Sequence, residues 1–435
     1  MPELGKIVAL ALLLVLYSVV FFAPVVTVQA ESKTLVVPDD YASVQEAVDH
    51  AADGDTVLVK RGTYNGSVVI DKRISLIGDD KAGSVILGDW SLNGTVVLVQ
   101  HDDVVVKNLA LKAIRNSGYS GRGVHLLHVQ HCHVLDCNFV CGVGVWLYGS
   151  SACTVERNKI DGTAVSLPNT IGIQVGYSEG NSILENTVEG YSYGYGVNFA
   201  FSSGNFLVGN QLSNNYYGIL VRESENNTVT DNDVKTSMSI FVAPTDQAMR
   251  GSYGIRLQHS SNNSVADNSF SDCPKGVRIV ASSDNLVENN LISGSRYVGL
   301  EVAEDSNHNQ ITANNIIDNG AGAEFVNSSS NHIYGNSFTN NEVTITISST
   351  DEPNFFDNGT EGNYWSNYNG TGDTPYIIDE NNQDNHPLVE PALIPEFQSW
   401  AIVPLFLTTT LLTIIAKKKF SKSNTQGFWA KHNKK

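Results

Sequence analysis

From Gly123 to Asn336 the chain alternates two short patterns of apolar and polar positions. The first is N-x-φ-x-x-N-x-φ, with φ apolar. It runs from Asn181 to Asn186, Asn205 to Asn210, Asn227 to Asn232, Asn263 to Asn268, Asn285 to Asn290 and Asn331 to Asn336, with variants at Cys132 to Cys137 and Cys153 to Asn158. The second is G-φ-x-φ, starting at Gly123, Gly144, Gly172, Gly196, Gly218, Gly254, Gly276, Gly299 and Gly322. Successive glycines are 21, 28, 24, 22, 36, 22, 23 and 23 residues apart, so no helical period survives. Period-2 apolar runs bounded by Asn and Gly predict two or three strands of a few residues in each unit.

No such unit can bury its strands alone. If each wraps once and lies on the one before, neighbouring strands pair in parallel at ~4.8 Å and their inward residues merge into one core. The expected fold is therefore all-β, a right-handed parallel β-helix in which the Asn stack at the bends and satisfy backbone groups there. The repeat has neither the framework of a leucine-rich array nor the longer blades of a propeller. Ser43 to Glu46 reads as a capping box opening a short helix, with Val44, Ala47, Val48 and Ala51 on one side, inside an N-terminal cap at 34–60. The repeat breaks at 358–390, where aromatics and prolines predict a second cap.

Two apolar stretches lie outside the repeat. Ile7 to Phe22 follows Lys6 and precedes the small residues Val28 and Ala30, which predicts a signal peptide at 1–30, with an uncleaved anchor as the alternative. Trp400 to Ala416 is followed at once by Lys417, Lys418 and Lys419, which predicts a membrane span at 400–416, a linker at 391–399 and a basic cytoplasmic tail at 417–435. Pro395, Glu396 and Phe397 ahead of that span resemble C-terminal sorting or anchoring signals of archaeal surface proteins. The β-helix, 31–390, is thus expected on the extracellular face of the membrane. With 45 acidic against 27 basic residues the formal charge is −18, and seven of the basic residues sit in the tail. A nucleic-acid partner is excluded on that balance, because phosphate contacts need a basic surface.

Ser43 to Ala47, Gly54 to Val57 and Gly62 to Tyr64 look like the opening of pectin-lyase-like β-helices. The Asn/Gly repeats, with Gly362 to Ser366 and Gly372 to Tyr376, resemble the NosD family over roughly Thr34 to Leu388. The resemblance implies a right-handed β-helix and copper as a ligand, since NosD-like proteins are described as periplasmic copper-binding proteins. Related coils occur in carbohydrate-binding and sugar-hydrolase modules.

In G-φ-x-φ the apolar positions point inward, so x faces outward. Read along the stack, x is His125, Trp146, Gln174, Asn198, Leu220, Arg256, Arg278, Glu301 and Glu324, with Arg222 and Gln258 in the adjoining column. An aromatic with amides, arginines and carboxylates on one flat face suits an extended polysaccharide or glycan. The alternative is a solvated face with an Arg278–Glu301 ladder pair. Extra residues at 112–122, 161–171 and 233–253 all precede a G-φ-x-φ strand, which predicts loops at one corner walling that face. As lyase or hydrolase machinery the candidates are Glu301 and Glu324, one coil apart, with Arg278 for an acidic sugar. For copper they are His125, His128, His131, Cys132 and His133, since imidazole and thiolate are its preferred ligands. Cys132 and Cys153 share a frame position 21 residues apart, which predicts a disulfide or a pair of buried thiols among five cysteines. Asp373, Asp379 and Asp384 are candidates for calcium, though not at EF-hand spacing. Four readings stay open: a glycan-binding surface protein, a copper-binding protein, a polysaccharide lyase or hydrolase, and a structural or adhesion rod.

Overall fold

The computed structural model describes residues 31–89, 91–113, 121–164, 170–236, 251–348 and 352–391. The expected signal peptide, membrane span and tail lie outside them; among the described residues no helix is long and apolar enough to cross a membrane. The chain winds as a parallel β-solenoid in which each coil gives one strand to each of three sheets. A long-strand sheet of 12 strands starts at Val68–Ile70, includes six-residue strands such as Arg122–Leu127 and Val143–Tyr148, and ends at Val343–Ser348. Two short-strand sheets have 13 strands each, the first from Thr34–Val37 to His332–Tyr334 and the second from Gly62–Asn65 to Tyr364–Trp365. A two-stranded antiparallel ribbon, Tyr376–Ile377 with Gln383–Asp384, follows the last coil.

The two sequence patterns become columns of stacked residues. Inward positions such as Val124, Leu126 and Val134 are wholly buried. The glycine column is fixed by close approach: a Cβ at Gly218 would sit 2.2 Å from the Gly254 carbonyl oxygen, and one at Gly144 would sit 2.7 Å from that of Gly172. No side chain fits where these corners nest on one another, so the glycine recurs once per coil.

At the bends two Asn ladders run from the fifth coil to the C-terminal end. Asn232 is typical: its Oδ1 accepts from both N and Nδ2 of Asn210 on the preceding coil, while its Nδ2 donates to Leu207 O, Thr230 O and Asn268 Oδ1. Within the repeat the residue ahead of a ladder position takes the left-handed conformation, as at Asp231 and Asp267, which turns the chain and aims the next side chain inward. A serine column, Ser178 to Ser202 to Ser224 to Ser260, makes a similar chain of N–H to Oγ bonds.

Cysteines occupy rungs of the same ladders, and of the two alternatives expected for Cys132 and Cys153 the structure shows the pair of buried thiols, not the disulfide. All five are free thiols and buried. Cys153 N donates to Asn181 Oδ1, and its Sγ donates to Val129 O and Ser151 O, the carbonyls that an Asn Nδ2 would serve. Cys132 Sγ donates in the same way to His101 O and Gln130 O. A disulfide would withdraw both S–H donors from buried carbonyls. The neighbouring Cys153 thiol and burial hold the Cys132 thiol well above its usual range while the hydrogen bond between the two lowers Cys153, and burial pushes Cys137 and Cys141 up to about 12, so these last two keep their protons.

Ser43 accepts from Glu46 N at the start of helix α1, Val44–His50, which buries Val44, Ala47 and Val48 against the strands Thr34–Val37, Thr56–Val59 and Val68–Ile70. At the other end, the segment where the sequence frame breaks still extends both ladders. Asn331 N donates to Asn354 Oδ1 and Asn354 N to Asn382 Oδ1, while Asn336 N donates to Asn363 Oδ1 and Asn363 N to Asp384 Oδ2. Trp365 is fully buried and stacked between Phe338 and Tyr376, with centroids at 4.6 and 4.5 Å.

Candidate functional site

Every residue of the expected stripe lies on the outer face of the long-strand sheet, in direct register. His125 pairs with Trp146, Trp146 with Gln174, Gln174 with Asn198, Asn198 with Leu220 and Leu220 with Arg256. Arg256 then pairs with Arg278, Arg278 with Glu301 and Glu301 with Glu324. Arg222 and Gln258 pair in the adjoining column. The strands that follow the three insertions all enter this sheet from the second short-strand sheet: Ala110–Ala113 leads to Arg122–Leu127, Lys159–Asp161 to Ile171–Gly176, and Asp233–Thr236 to Ile255–Gln258. The insertions thus leave from one corner, while residues 114–120, 165–169 and 237–250 within them lie outside the described residues.

The stripe is more buried than an open face. Asn198, Leu220 and Glu301 are only 8%, 6% and 6% exposed. The cause is in-register packing: successive rungs stand ~4.8 Å apart, so each side chain leans on the next. The His125 and Trp146 rings stack at 4.6 Å and 9°, and the Arg122 guanidinium lies 4.4 Å over the indole. Rings stacked along the coil axis turn their faces to each other and their edges outward. Trp146 is therefore no free platform for a sugar, contrary to the stacking expected of it, and the face presents ring edges and polar tips outward.

Many of those tips lack a protein partner. His125 Nε2, Asn198 Oδ1, Arg222 Nε and Arg256 Nε are all buried without a hydrogen bond. Asn198 Nδ2 does donate to Gln174 Oε1 at 2.9 Å, so the amide is anchored and its oxygen is left over. Burial, with the nearby Arg122 and His128 charges, pushes the His125 imidazole down to about 4, so it is neutral at physiological pH.

Glu301 differs. Lys275 Nζ donates to its Oε1 at 2.8 Å, and Arg278 Nε lies 2.5 Å from Oε2 off the line of a directed hydrogen bond, so charge holds that side. Both oxygens of this carboxylate are thus engaged by cations, and Arg278 is engaged with it. Glu324 lies on the next rung, half-buried.

The column beside the stripe was missed. The residue just ahead of each G-φ-x-φ glycine adds Arg122, Tyr195, Tyr217, Tyr253 and Lys275. Tyr195 stacks on Tyr217 and Tyr217 on Tyr253, at 4.7 and 4.8 Å. The glycine frame itself marks this position, one residue upstream.

The copper candidates are dispersed. His125 stacks on Trp146, while His128 meets the Tyr148 ring edge-on at 5.5 Å. His131 Nδ1 sits 3.8 Å from Asp103 Oδ1, His133 starts the strand His133–Leu135, and the Cys132 thiol is a ladder donor. Among the described residues no three His, Cys, Asp or Glu side chains are grouped to hold an ion. The calcium candidates are likewise separate. Asp384 accepts from Asn363 N, Trp365 Nε1 and His386 N, Asp379 accepts from Asn381 N and Asn382 N, and Asp373 is exposed.

Coil, ladders and outward stripe together define a right-handed parallel β-helix carrying a polar face on its long-strand sheet. The chain belongs to the NosD family, described as periplasmic copper-binding protein, which it matches over residues 48–247 and 242–370. The metal in that description finds no fitting donor set among the residues above. A cell surface glycoprotein of Methanothermus fervidus is 27% identical over 387 residues, covering 83% of this chain and 57% of the relative, so the chain spans little more than half the length of that protein. Among solved structures the chain resembles the Dettilon tailspike protein (TM-score 0.58, 13% identity, 73% of this chain and 68% of that one). It also resembles the periplasmic alginate epimerase AlgG (0.54, 14%, 70% and 83%) and DFA-IIIase from Arthrobacter chlorophenolicus A6 (0.53, 14%, 69% and 94%). At these identities the likeness establishes the fold alone.

Proposed function

We propose that this chain is a β-helix displayed at the cell surface that binds a polysaccharide or glycan along the outer face of its long-strand sheet. One observation carries the reading: buried polar atoms without partners concentrate on that face, at His125, Asn198, Arg222 and Arg256. A buried polar atom left unpaired costs about 1–3 kcal/mol, and a ligand rich in hydroxyls supplies both the donors and the acceptors these atoms lack. Display outside the cell is supported by the apolar stretches at either end and by the likeness to a cell surface glycoprotein. In this reading the segment at 400–416 anchors the protein, helix α1 covers the open end of the core, and the insertions wall the groove. Binding rather than turnover is favoured by the engagement of Glu301 with Lys275 and Arg278.

The test is a polysaccharide panel against the purified full-length protein. Binding to at least one polymer, weakened about tenfold by Asn198→Ala with an unchanged unfolding midpoint, is the expected result. Absence of binding to every polymer would leave the rod reading in its place.

A further inference from the structure

Resting on that reading, we infer that the ligand is anionic: a polysaccharide whose carboxylate or sulfate groups are received by Arg222 and Arg256. The inference starts from a local imbalance of charge. Lys275, Arg278, Arg256 and Arg222 occupy consecutive rungs or adjoining columns of one face. Among the described residues a single carboxylate, Glu301, forms an ion pair with any of them, shared between Lys275 and Arg278, while Glu304 and Glu301 act on Arg256 only through charge at longer range. No ion pair among the described residues involves Arg222 or Arg256. The chain as a whole carries 45 acidic and 27 basic residues, so a cationic, half-buried patch runs against its average.

Folding by itself gives no reason for this arrangement. Like charges directly in register, as Arg256 and Arg278 are, repel each other, and a half-buried guanidinium loses hydration. What does hold the two arginines is aromatic: Arg222 lies 5.7 Å from the Phe201 centroid and Arg256 lies 6.0 Å from that of Tyr253. Those contacts position the guanidinium groups: each Nε is buried without a partner, while each side chain as a whole is only half-buried and so can meet an acceptor at the surface. A guanidinium presents a planar fork that matches a carboxylate or sulfate with two hydrogen bonds. One rung before Leu220, Asn198 is 92% buried and offers an acceptor, Oδ1, which a sugar hydroxyl can fill while the anion meets the arginines. Anion site and hydroxyl site therefore adjoin, as an anionic polysaccharide requires and an isolated ion does not.

The experiment compares dextran, dextran sulfate and polygalacturonate on the full-length protein, at low and moderate salt, with wild type, Arg222→Gln and Arg256→Gln. Expected is binding of at least one anionic polymer over dextran by about tenfold or more, weakening with salt, and lost about tenfold in each variant at an unchanged unfolding midpoint. Equal, salt-indifferent binding of dextran overturns the inference and leaves the glycan reading standing. Binding of none of the three, where another neutral glycan of the panel binds, overturns it in the same way. If no polymer of any kind binds, the glycan reading and the inference fall together. Unchanged anionic binding in both variants places the charge recognition elsewhere and overturns the assignment to these arginines.

Discussion

The Asn ladders and the long-strand face are built by one device, a side chain per coil stacked in register, and they end in opposite states. In the ladder Asn232 accepts twice through Oδ1, and its two Nδ2 hydrogens are shared among three acceptors. On the face, Asn198 has one bond to Gln174 and a buried oxygen with none. Both are asparagines, both are nine-tenths buried or more, and both have neighbours on the coils above and below, Asn198 by strand register and Asn232 by hydrogen bonds to Asn210 and Asn268. The difference lies in what faces them. Ladder residues turn inward against the carbonyls that each bend leaves free, whereas face residues turn outward, where only a neighbour or a ligand can answer them. Stacking alone therefore does not satisfy a polar group, and the unsatisfied set marks where the molecule has capacity left.

The contrast can be broken at either end. The largest effect is expected for Asn232→Ala, which strips partners from Leu207 O, Asn210 N and Asn268 Oδ1 and should cost about 3 kcal/mol in urea unfolding. A loss below about 0.5 kcal/mol would show that the ladder does not support the coil. Glu301→Ala comes next, at about 2 kcal/mol, since it leaves Lys275 and Arg278 facing each other without their shared carboxylate; a more stable variant would mean that the cluster is not a structural ion pair. The smallest effect concerns His125. Its pKa in the fold is lowered from 6.5 to about 4, so the folded state prefers the neutral ring. That contribution to stability is full above 6.5 and is lost as pH falls through the window down to about 4. An imidazole titration by NMR should show a midpoint near 4, and one near 6.5 would place the ring in solvent.

Much of the fold is legible in the chain because its demands are local and repeated. Asn recurs where a bend exposes carbonyls, and glycine recurs where a Cβ would meet the next coil's carbonyl, as at Gly218. The outward stripe follows from period 2 alone. What resisted reading depends on how side chains lie once stacked. Trp146 suggests a platform until the imidazole and guanidinium over it are seen. For Cys132 and Cys153 spacing allows either a disulfide or a pair of buried thiols, and what decides between them is the carbonyls each thiol faces in place of a carboxamide. Glu301 suggests a catalytic carboxylate until Lys275, one residue ahead of a repeat glycine, closes on it. The closing segment departs from the repeat in sequence, yet Asn354, Asn363 and Asn382 still hold ladder positions, because the hydrogen-bond requirement outlasts the spacing.

The claim that the outer face holds polar capacity for a ligand, and the ladder none, is tested most directly by replacing Asn198 and Asn232 each with leucine in the full-length protein. Urea unfolding and polysaccharide binding are then measured on both. The account predicts that Asn198→Leu keeps its unfolding free energy within about 0.5 kcal/mol and loses binding, while Asn232→Leu loses about 3 kcal/mol or fails to fold. Equal destabilisation by the two substitutions, with binding by Asn198→Leu intact, would contradict it.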